Sequence, residues 1–113
     1  MPTATEPVIL DSDLQADRAD YRLFIPPDLI YFSGHFPGQP VLPGVVQLRW
    51  AVMLAQALEM TEPFNRLERL KYTRLIVPGQ TLELALTRSA DKGFDFRYHD
   101  PQGDFSSGRL RYN

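Results

Sequence analysis

The chain contains no cysteine, and among its 113 residues only His35 and His99 are histidines. The absence of cysteine excludes disulfides, thiolate nucleophiles and most structural zinc sites. Two histidines so far apart in the sequence do not predict a histidine-based metal cage. We therefore expect no metal site, and no metal or redox cofactor.

Long apolar runs and a strong net charge are also missing. No apolar segment approaches the roughly 20 residues that span a bilayer. The first residues, MPTATEPVILDSD, contain neither the basic n-region nor the apolar h-region of a secretory signal. The formal net charge is −2, which offers no overall attraction to nucleic acid or to an anionic membrane. We expect a cytoplasmic protein that binds neither nucleic acid nor membranes.

The length and composition are those of one ordinary globular domain with a modest core. No internal repeat, low-complexity tract or linker divides the chain. We therefore expect a single domain over residues 1–113, in which residues 1–6 form a loose tail.

The apolar pattern predicts strands on both sides of one helix. Residues 8–10 and 21–25 are short apolar runs typical of strands. From about residue 44 to 60 the pattern predicts a long helix, because Pro43 suits a first turn and no later proline or glycine interrupts the run. We expect this helix to be enclosed on most sides.

A period of two returns after the helix. It occurs in RLERLKYTRLIV, TLELALTR, FDFRYH and FSSGRLRYN, which are separated by proline- and glycine-containing turns. A slip in the alternation at residues 72–75 predicts a β-bulge. The element order predicts an α+β fold, with a long central helix wrapped by a curved antiparallel sheet whose last four strands form a meander.

The segment YFSGHFPGQPVLPGVVQLRW, residues 31–50, holds His35 among glycines and prolines. The prolines stiffen the loop, which leads directly into the N-terminus of the predicted helix. Free N–H groups and the helix dipole favour developing negative charge there. A fixed imidazole beside this terminus is suited to removing a proton while the N–H groups stabilise the enolate-like oxygen that results. A structural histidine inside a tight loop explains the same spacing.

The segment GHFPGQPVLPGV closely resembles the signature of the 3-hydroxyacyl-[acyl-carrier-protein] dehydratases, which have the hotdog fold. LKYTRLIVPGQTLEL and GRLRY are similar to later strands of that family, so the resemblance covers about residues 21–112. PGVVQ, followed by an arginine and a tryptophan, resembles the divergent thioester dehydratases of aryl-polyene biosynthesis. The resemblance implies a homodimer with joined sheets, an acyl tunnel at the interface, and a thioester substrate on acyl carrier protein or coenzyme A.

The same resemblance assigns roles to individual residues. It implies that His35 removes the α-proton of the substrate and that the backbone N–H of Gly44 polarises the thioester carbonyl. The peptide at Phe36 is expected to lie against the substrate. Tyr31, beside the loop, and Val45, at the helix start, complete the predicted substrate-binding residues.

Arg49 departs from the family pattern. The family places a carboxylate six residues after the proline of the PG pair, and counting from Pro43 gives Arg49. A guanidinium stays charged and cannot shuttle the proton of the departing hydroxyl. From the residues alone, Arg49 also suits a solvent-facing helix edge or a salt-bridged dimer seam.

Three functions follow from this departure. The first is a dehydratase in which His35 moves the proton alone and Arg49 orients the leaving group. The second is a non-catalytic or half-catalytic subunit that needs a partner hotdog chain to supply the carboxylate. The third is an acyl thioesterase, but Glu59 lies ten residues beyond Arg49, about 15 Å along a helix, and does not replace the missing acid.

Two further groups of residues have simpler interpretations. His99 is expected at a solvent-facing strand end. A late cluster of cations is either a solvated strand face or a docking patch for an acidic acyl carrier protein, which predicts salt-sensitive association. The cluster comprises Arg66, Arg69, Lys71, Arg74, Arg109 and Arg111.

Overall fold

The computed structural model describes residues 4–32, 40–60, 63–89 and 92–112. In this part of the chain one α-helix lies against six strands. The elements are β1 (Val8–Leu14), β2 (Arg18–Phe24), a 3₁₀ turn (Ile30–Phe32), helix α1 (Gly44–Leu54) extended by a second 3₁₀ turn (Ala55–Leu58), β3 (Arg66–Tyr72), β4 (Thr81–Arg88), β5 (Gly93–Asp100) and β6 (Gly103–Arg111).

All strand pairs are antiparallel, in the order β1-β2-β4-β5-β6-β3. The predicted α+β class is confirmed, but the predicted meander of the last four strands is wrong for β3. That strand lies at the sheet edge beside β6, because residues 73–80 carry the chain away from it. The backbone N–H of Thr73 bonds to Phe105 O in β6, whereas Ile25, just after β2, bonds to Gln80.

Helix α1 buries one side against the sheet. Its buried residues recur with helical spacing and are Val46, Gln47, Trp50, Ala51 and Leu54. They meet alternate residues of the strands, as expected for a sheet with one face covered. On the other side Val45 is 67% exposed and Arg49 is also exposed. In the single chain, therefore, the helix is less enclosed than the sequence predicted.

Two local predictions need correction. The α-helix ends at Leu54, and the tighter 3₁₀ turn that follows is terminated by Glu59 in the left-handed conformation (φ 60°). The predicted bulge at 72–75 lies earlier, between Glu68 and Lys71, where Arg69 has φ 55°. The extra residue there lets β3 keep its pairing with β6 on both sides of the irregularity.

The described end of the predicted tail contacts the body of the protein. Ala4 forms a bridge with Leu29, and its carbonyl accepts a 2.9 Å bond from Ile30 N–H. The indole N–H of Trp50 donates to Thr5 O at 3.1 Å. These contacts fix the 3₁₀ turn that precedes residues 33–39 beside helix α1. No helix in the described residues is long and apolar enough to cross a membrane.

Candidate active site

Helix α1 begins without a capping side chain. Pro43 occupies the N-cap position with extended backbone angles, and the first turn contains no acidic residue. The N–H groups of Val46 and Gln47 both donate to Pro43 O, at 3.1 and 3.2 Å. Within the described residues no atom accepts a hydrogen bond from Gly44 N–H or Val45 N–H. Within the described part of the chain, two backbone donors at the positive end of the helix dipole therefore have no acceptor.

Tyr72, the last residue of β3, covers the helix start. A Cβ atom added to Gly44 would lie 2.3 Å from Tyr72 Oη and 2.5 Å from Cζ, so only glycine leaves room for this ring. Burial raises the pKa of the Tyr72 hydroxyl, which keeps it protonated near neutral pH. Among the described residues the hydroxyl has no hydrogen-bond partner, so it is available as a donor beside Gly44.

The sequence pattern does not identify Tyr72 as a site residue. It lies within LKYTRLIVPGQTLEL, where the alternation slips, and this irregularity was the available signal. The slip was interpreted only as a bulge. The contact between Tyr72 and Gly44 joins residues far apart in the sequence, so local spacing could not predict it.

Arg49 and Tyr31, both predicted site residues, are brought together. Arg49 Nη1 donates to Tyr31 Oη at 3.3 Å on the exposed side of the helix. No carboxylate among the described residues lies within ion-pair distance of Arg49. Its charge is therefore not buried in the single chain, and its head group is accessible from outside.

His35 and Phe36 lie outside the described residues, so their predicted roles stay predictions. The residues that flank this segment are described and both reach helix α1. On one side Tyr31 contacts Arg49 in the second turn. On the other side Leu42 and Pro43 lead directly into Gly44. The described residues on both sides of this segment therefore lie beside the first two turns of the helix.

An apolar cleft of about 210 Å³ lies beside the residues that lead into helix α1. It is formed where the approach to the helix meets the connector between β3 and β4, and its lining residues are Pro40, Val41, Leu75, Val77 and Pro78. Leu75 is 63% exposed there. A cleft of this composition is suited to an alkyl or polyene chain rather than to a charged group.

The predicted cationic patch is largely paired within the chain. Arg66 and Arg111 both bind Glu68, and Arg109 binds Asp95 at 2.7 Å. Two other cations of the cluster, Arg69 and Lys71, line a wider groove of about 600 Å³ on the sheet face opposite the helix.

Arg74 is fixed by contacts of its own. It binds Asp100 at 2.5 Å and Gly103 O at 2.9 Å, and its guanidinium lies 3.8 Å from the centre of the Phe105 ring. If the cluster is a docking patch, fewer of its cations are therefore available to a partner than the sequence predicted.

Two other predictions concern histidine and metals. His99 lies in β5 on the sheet face opposite Tyr98, which faces the helix, and it is half-buried beside a polar surface groove. It has no contact with the start of α1. Within the described residues no group of three or more histidine or acidic side chains is arranged to hold a metal ion.

Comparison with known proteins identifies relatives of the chain. Residues 11–109 match the ApeI-like family, described as ApeI dehydratase. One chain of the dehydratase heterocomplex ApeI:P from Xenorhabdus doucetiae is 32% identical, with a TM-score of 0.86 over 94% of this chain and 96% of that one. An uncharacterized protein from Erwinia carotovora subsp. atroseptica is 34% identical, with a TM-score of 0.78 over 93% and 94%.

Curated relatives match over a shorter region. The 3-hydroxyacyl-[acyl-carrier-protein] dehydratase FabZ of Moorella thermoacetica is 37% identical over 62 residues, which are 48% of this chain and 43% of that protein. The match therefore spans less than half the length of this relative. The predicted resemblance to the dehydratases, including the aryl-polyene branch, and the hotdog fold are confirmed. The chain belongs to the ApeI-like dehydratase family.

Proposed function

We propose that the chain removes water from a 3-hydroxyacyl thioester, giving the 2-enoyl thioester. The observation that carries this proposal is the uncapped start of α1, where no described atom accepts a hydrogen bond from Gly44 N–H and the Tyr72 ring lies against Gly44. In the proposed reaction the thioester carbonyl accepts a hydrogen bond from Gly44 N–H. Charge that develops on this oxygen as the α-proton leaves is stabilised by the N–H and by the helix dipole.

His35 is the proposed base. It takes the α-proton, the electrons of the C–H bond form the double bond, and the C–O bond at the 3-position breaks. The imidazolium then returns its proton to the departing hydroxyl, which leaves as water. This single-base syn elimination needs no second acid, consistent with an arginine at the position of the family carboxylate. Phe36 and Val45 are proposed to contact the substrate at the same helix start.

Arg49 and Tyr31 form the proposed polar wall of the site. Their 3.3 Å contact holds the guanidinium near the flank of the His35 segment. Arg49 cannot accept a proton, but its N–H groups can hold the 3-hydroxyl or an anionic group of the substrate. This role needs an accessible head group, and the exposure of Arg49 satisfies that requirement.

We also propose that a second subunit covers the β3 edge. Among the described residues this strand pairs only with β6, and Leu67, Leu70 and Tyr72 are each at least 38% exposed on it. Because Tyr72 lies on Gly44, the candidate site opens at the same edge. A homodimer formed through β3 would pair this edge strand and close the site at its interface.

A heterodimer is the second candidate, favoured by one observation on Arg49. The guanidinium is exposed and has no carboxylate partner among the described residues, so a partner chain could supply one. The Xenorhabdus doucetiae relative belongs to a heterocomplex. In that case the chain acts as a half-catalytic subunit whose site is completed by a carboxylate from a different hotdog protein.

The thioesterase alternative is less well supported. Glu59, the acid considered for it, is exposed and ends the 3₁₀ turn at the far end of the helical segment from Gly44. We further propose that the acyl group arrives in the cytoplasm on an acidic carrier protein. Arg69 and Lys71 are the cations proposed to attract it, with an association that weakens as salt rises.

The proposal is tested by incubating the purified protein with a 3-hydroxyacyl thioester on acyl carrier protein, and separately on coenzyme A. Mass spectrometry of the acyl group detects loss of water, and a thiol reagent detects hydrolysis. We expect the enoyl product without free thiol. Thiol release without enoyl product would contradict the proposal and favour the thioesterase.

The oligomeric alternatives are separated by adding a second hotdog protein from the same organism. Turnover by the chain alone, with a mass of two subunits in solution, supports the homodimer. No turnover until the second protein is added, with a mixed complex in solution, contradicts the homodimer and supports the half-catalytic subunit.

A further inference from the structure

The fourth residue of helix α1, Gln47, is a buried glutamine. Apart from aromatic residues, Gln47 and Ser106 are the polar side chains buried in the described part of the chain, at 3% and 1% exposure. A buried amide is costly unless its hydrogen bonds are satisfied. An apolar side chain would fill the same space without this cost. The amide is therefore expected to serve through the hydrogen bonds that it makes.

The Gln47 side chain links the peptide before the helix to the sheet. Its Nε2 donates to Leu42 O at 3.2 Å, and its Oε1 accepts a 2.6 Å bond from Ser106 Oγ in β6. Leu42 N–H in turn donates to Ile76 O at 2.8 Å. Leu42 is thus held from both sides, two residues before Gly44.

The backbone of Gln47 is held as well. Tyr98 Oη, in β5, donates to Gln47 O at 2.7 Å. Burial raises the pKa of Tyr98 well above its usual value, so this hydroxyl stays protonated. Gln47 N–H donates to Pro43 O at 3.2 Å. Two neighbouring strands therefore fix the first turn of the helix through this one residue.

We infer that Gln47 is a positioning residue that sets the direction of Gly44 N–H relative to the sheet. The helix start has no capping side chain, and Pro43 has no N–H of its own to bond. The bonds of Gln47 supply the orientation that a cap would otherwise give. This inference rests on the proposed function of Gly44 N–H as the donor to the thioester carbonyl.

The first test compares Gln47→Met with the wild-type protein in steady-state dehydration kinetics. Methionine has a similar volume and removes both side-chain bonds. A misdirected donor weakens the transition state, so kcat and kcat/KM should fall together, by about tenfold to a hundredfold, with little change in KM. Unchanged kcat in a folded variant would overturn the inference.

Leu58→Ala is the control for an effect that comes from lost stability alone. Leu58 is buried at the opposite end of the same helical segment, at 2% exposure, and has no contact with Gly44. This variant should have a lower thermal midpoint, yet retain wild-type kcat per folded molecule. An equal loss of kcat in Leu58→Ala would contradict a specific role for Gln47.

Gln47→Glu adds a signature that packing alone would not produce. A protonated glutamic acid can still donate to Leu42 O, whereas an ionised one cannot. The ratio of its kcat to that of the wild type should therefore rise as the pH is lowered, measured where circular dichroism shows both proteins folded. A ratio independent of pH would count against the inference.

A readout without substrate separates this inference from the proposed function. In ¹H–¹⁵N spectra the amide signals of Gly44 and Val45 should shift in Gln47→Met, but not in Leu58→Ala. If the wild type has no dehydratase activity, the proposed function fails while these signals still test the positioning. Unaltered Gly44 and Val45 signals would overturn the inference regardless of activity.

Discussion

The ring of Tyr72 occupies the space that any side chain at Gly44 would need. Its hydroxyl lies 2.3 Å and its Cζ atom 2.5 Å from the position of a Cβ on Gly44. The end of strand β3 therefore packs against the start of helix α1, with glycine at position 44 leaving room for the ring. This contact connects the β3 edge of the sheet to the donors proposed to bind the thioester.

Gly44→Ala should impair catalysis more than stability. The added methyl group forces Tyr72 outward, and because Tyr72 is 49% exposed the ring can move at a cost of about 1 kcal/mol, the low end of overpacking. The hydroxyl then leaves the site, and kcat/KM should fall at least tenfold. Paired urea unfolding and dehydration assays measure both effects. A fully active Gly44→Ala would contradict the proposed donor site.

Tyr72→Phe isolates the hydroxyl, because it retains the ring over Gly44. The hydroxyl has no partner among the described residues, so the thermal midpoint should not change. If it donates to the substrate, kcat/KM should fall about tenfold, the effect of losing one hydrogen bond of roughly 1.5 kcal/mol.

Tyr21→Phe is the matched control for that variant. Tyr21 Oη donates to Leu54 O at 3.2 Å inside the core, away from the helix start. Its loss should cost about 1 kcal/mol of stability and leave kcat unchanged. The reverse pattern in the two variants would show that Tyr72 has a structural role alone.

Arg49→Met should leave folding intact, since Arg49 is exposed and its one described side-chain bond is to Tyr31. If the guanidinium holds the 3-hydroxyl or an anionic substrate group, kcat/KM falls about tenfold, within the range for a charged hydrogen bond. Arg49→Lys retains the charge and should recover part of the activity. Wild-type kinetics in Arg49→Met would identify Arg49 as a solvent-facing residue.

Acid stability should depend on Asp100. The hydrogen bond from Arg74 is the largest cause that lowers the pKa of this carboxyl. A lowered folded-state pKa stabilises the protein above the usual aspartate pKa of about 3.9, and this contribution is lost as the pH falls through the lowered value.

Urea unfolding of the wild type and Asp100→Asn at a series of pH values tests this dependence. The wild type should lose more stability than the variant between about pH 5 and pH 2. Parallel curves for the two proteins would contradict a stabilising Arg74–Asp100 pair.

The local elements were predictable from the sequence, but the position of β3 was not. Residues on both sides of the PGQ turn alternate with a period of two, so adjacent pairing was the simplest expectation. The connector from Thr73 to Gln80 instead bonds to Phe105 in β6 and to Ile25 just after β2. Pairing between distant strands depends on such long-range contacts, which local periodicity does not contain.

The site was predictable only where its residues lie near each other in the sequence. The motif identified Gly44 and Arg49, which lie near each other in sequence. The Arg49–Tyr31 bond and the Tyr72 ring over Gly44 join distant segments and required the structure. Gln47 was part of the PGVVQ segment that indicated the family branch, but its burial against Ser106 was not visible in the pattern of apolar residues.

The most direct test of the central claim is the dehydration rate of His35→Ala. Wild-type protein and variant are given the same 3-hydroxyacyl thioester, with thermal midpoints measured to confirm that both are folded. If His35 removes the α-proton, the rate should fall by about a hundredfold or more, the contribution typical of a general base. A folded His35→Ala that forms the enoyl product at the wild-type rate would contradict the mechanism.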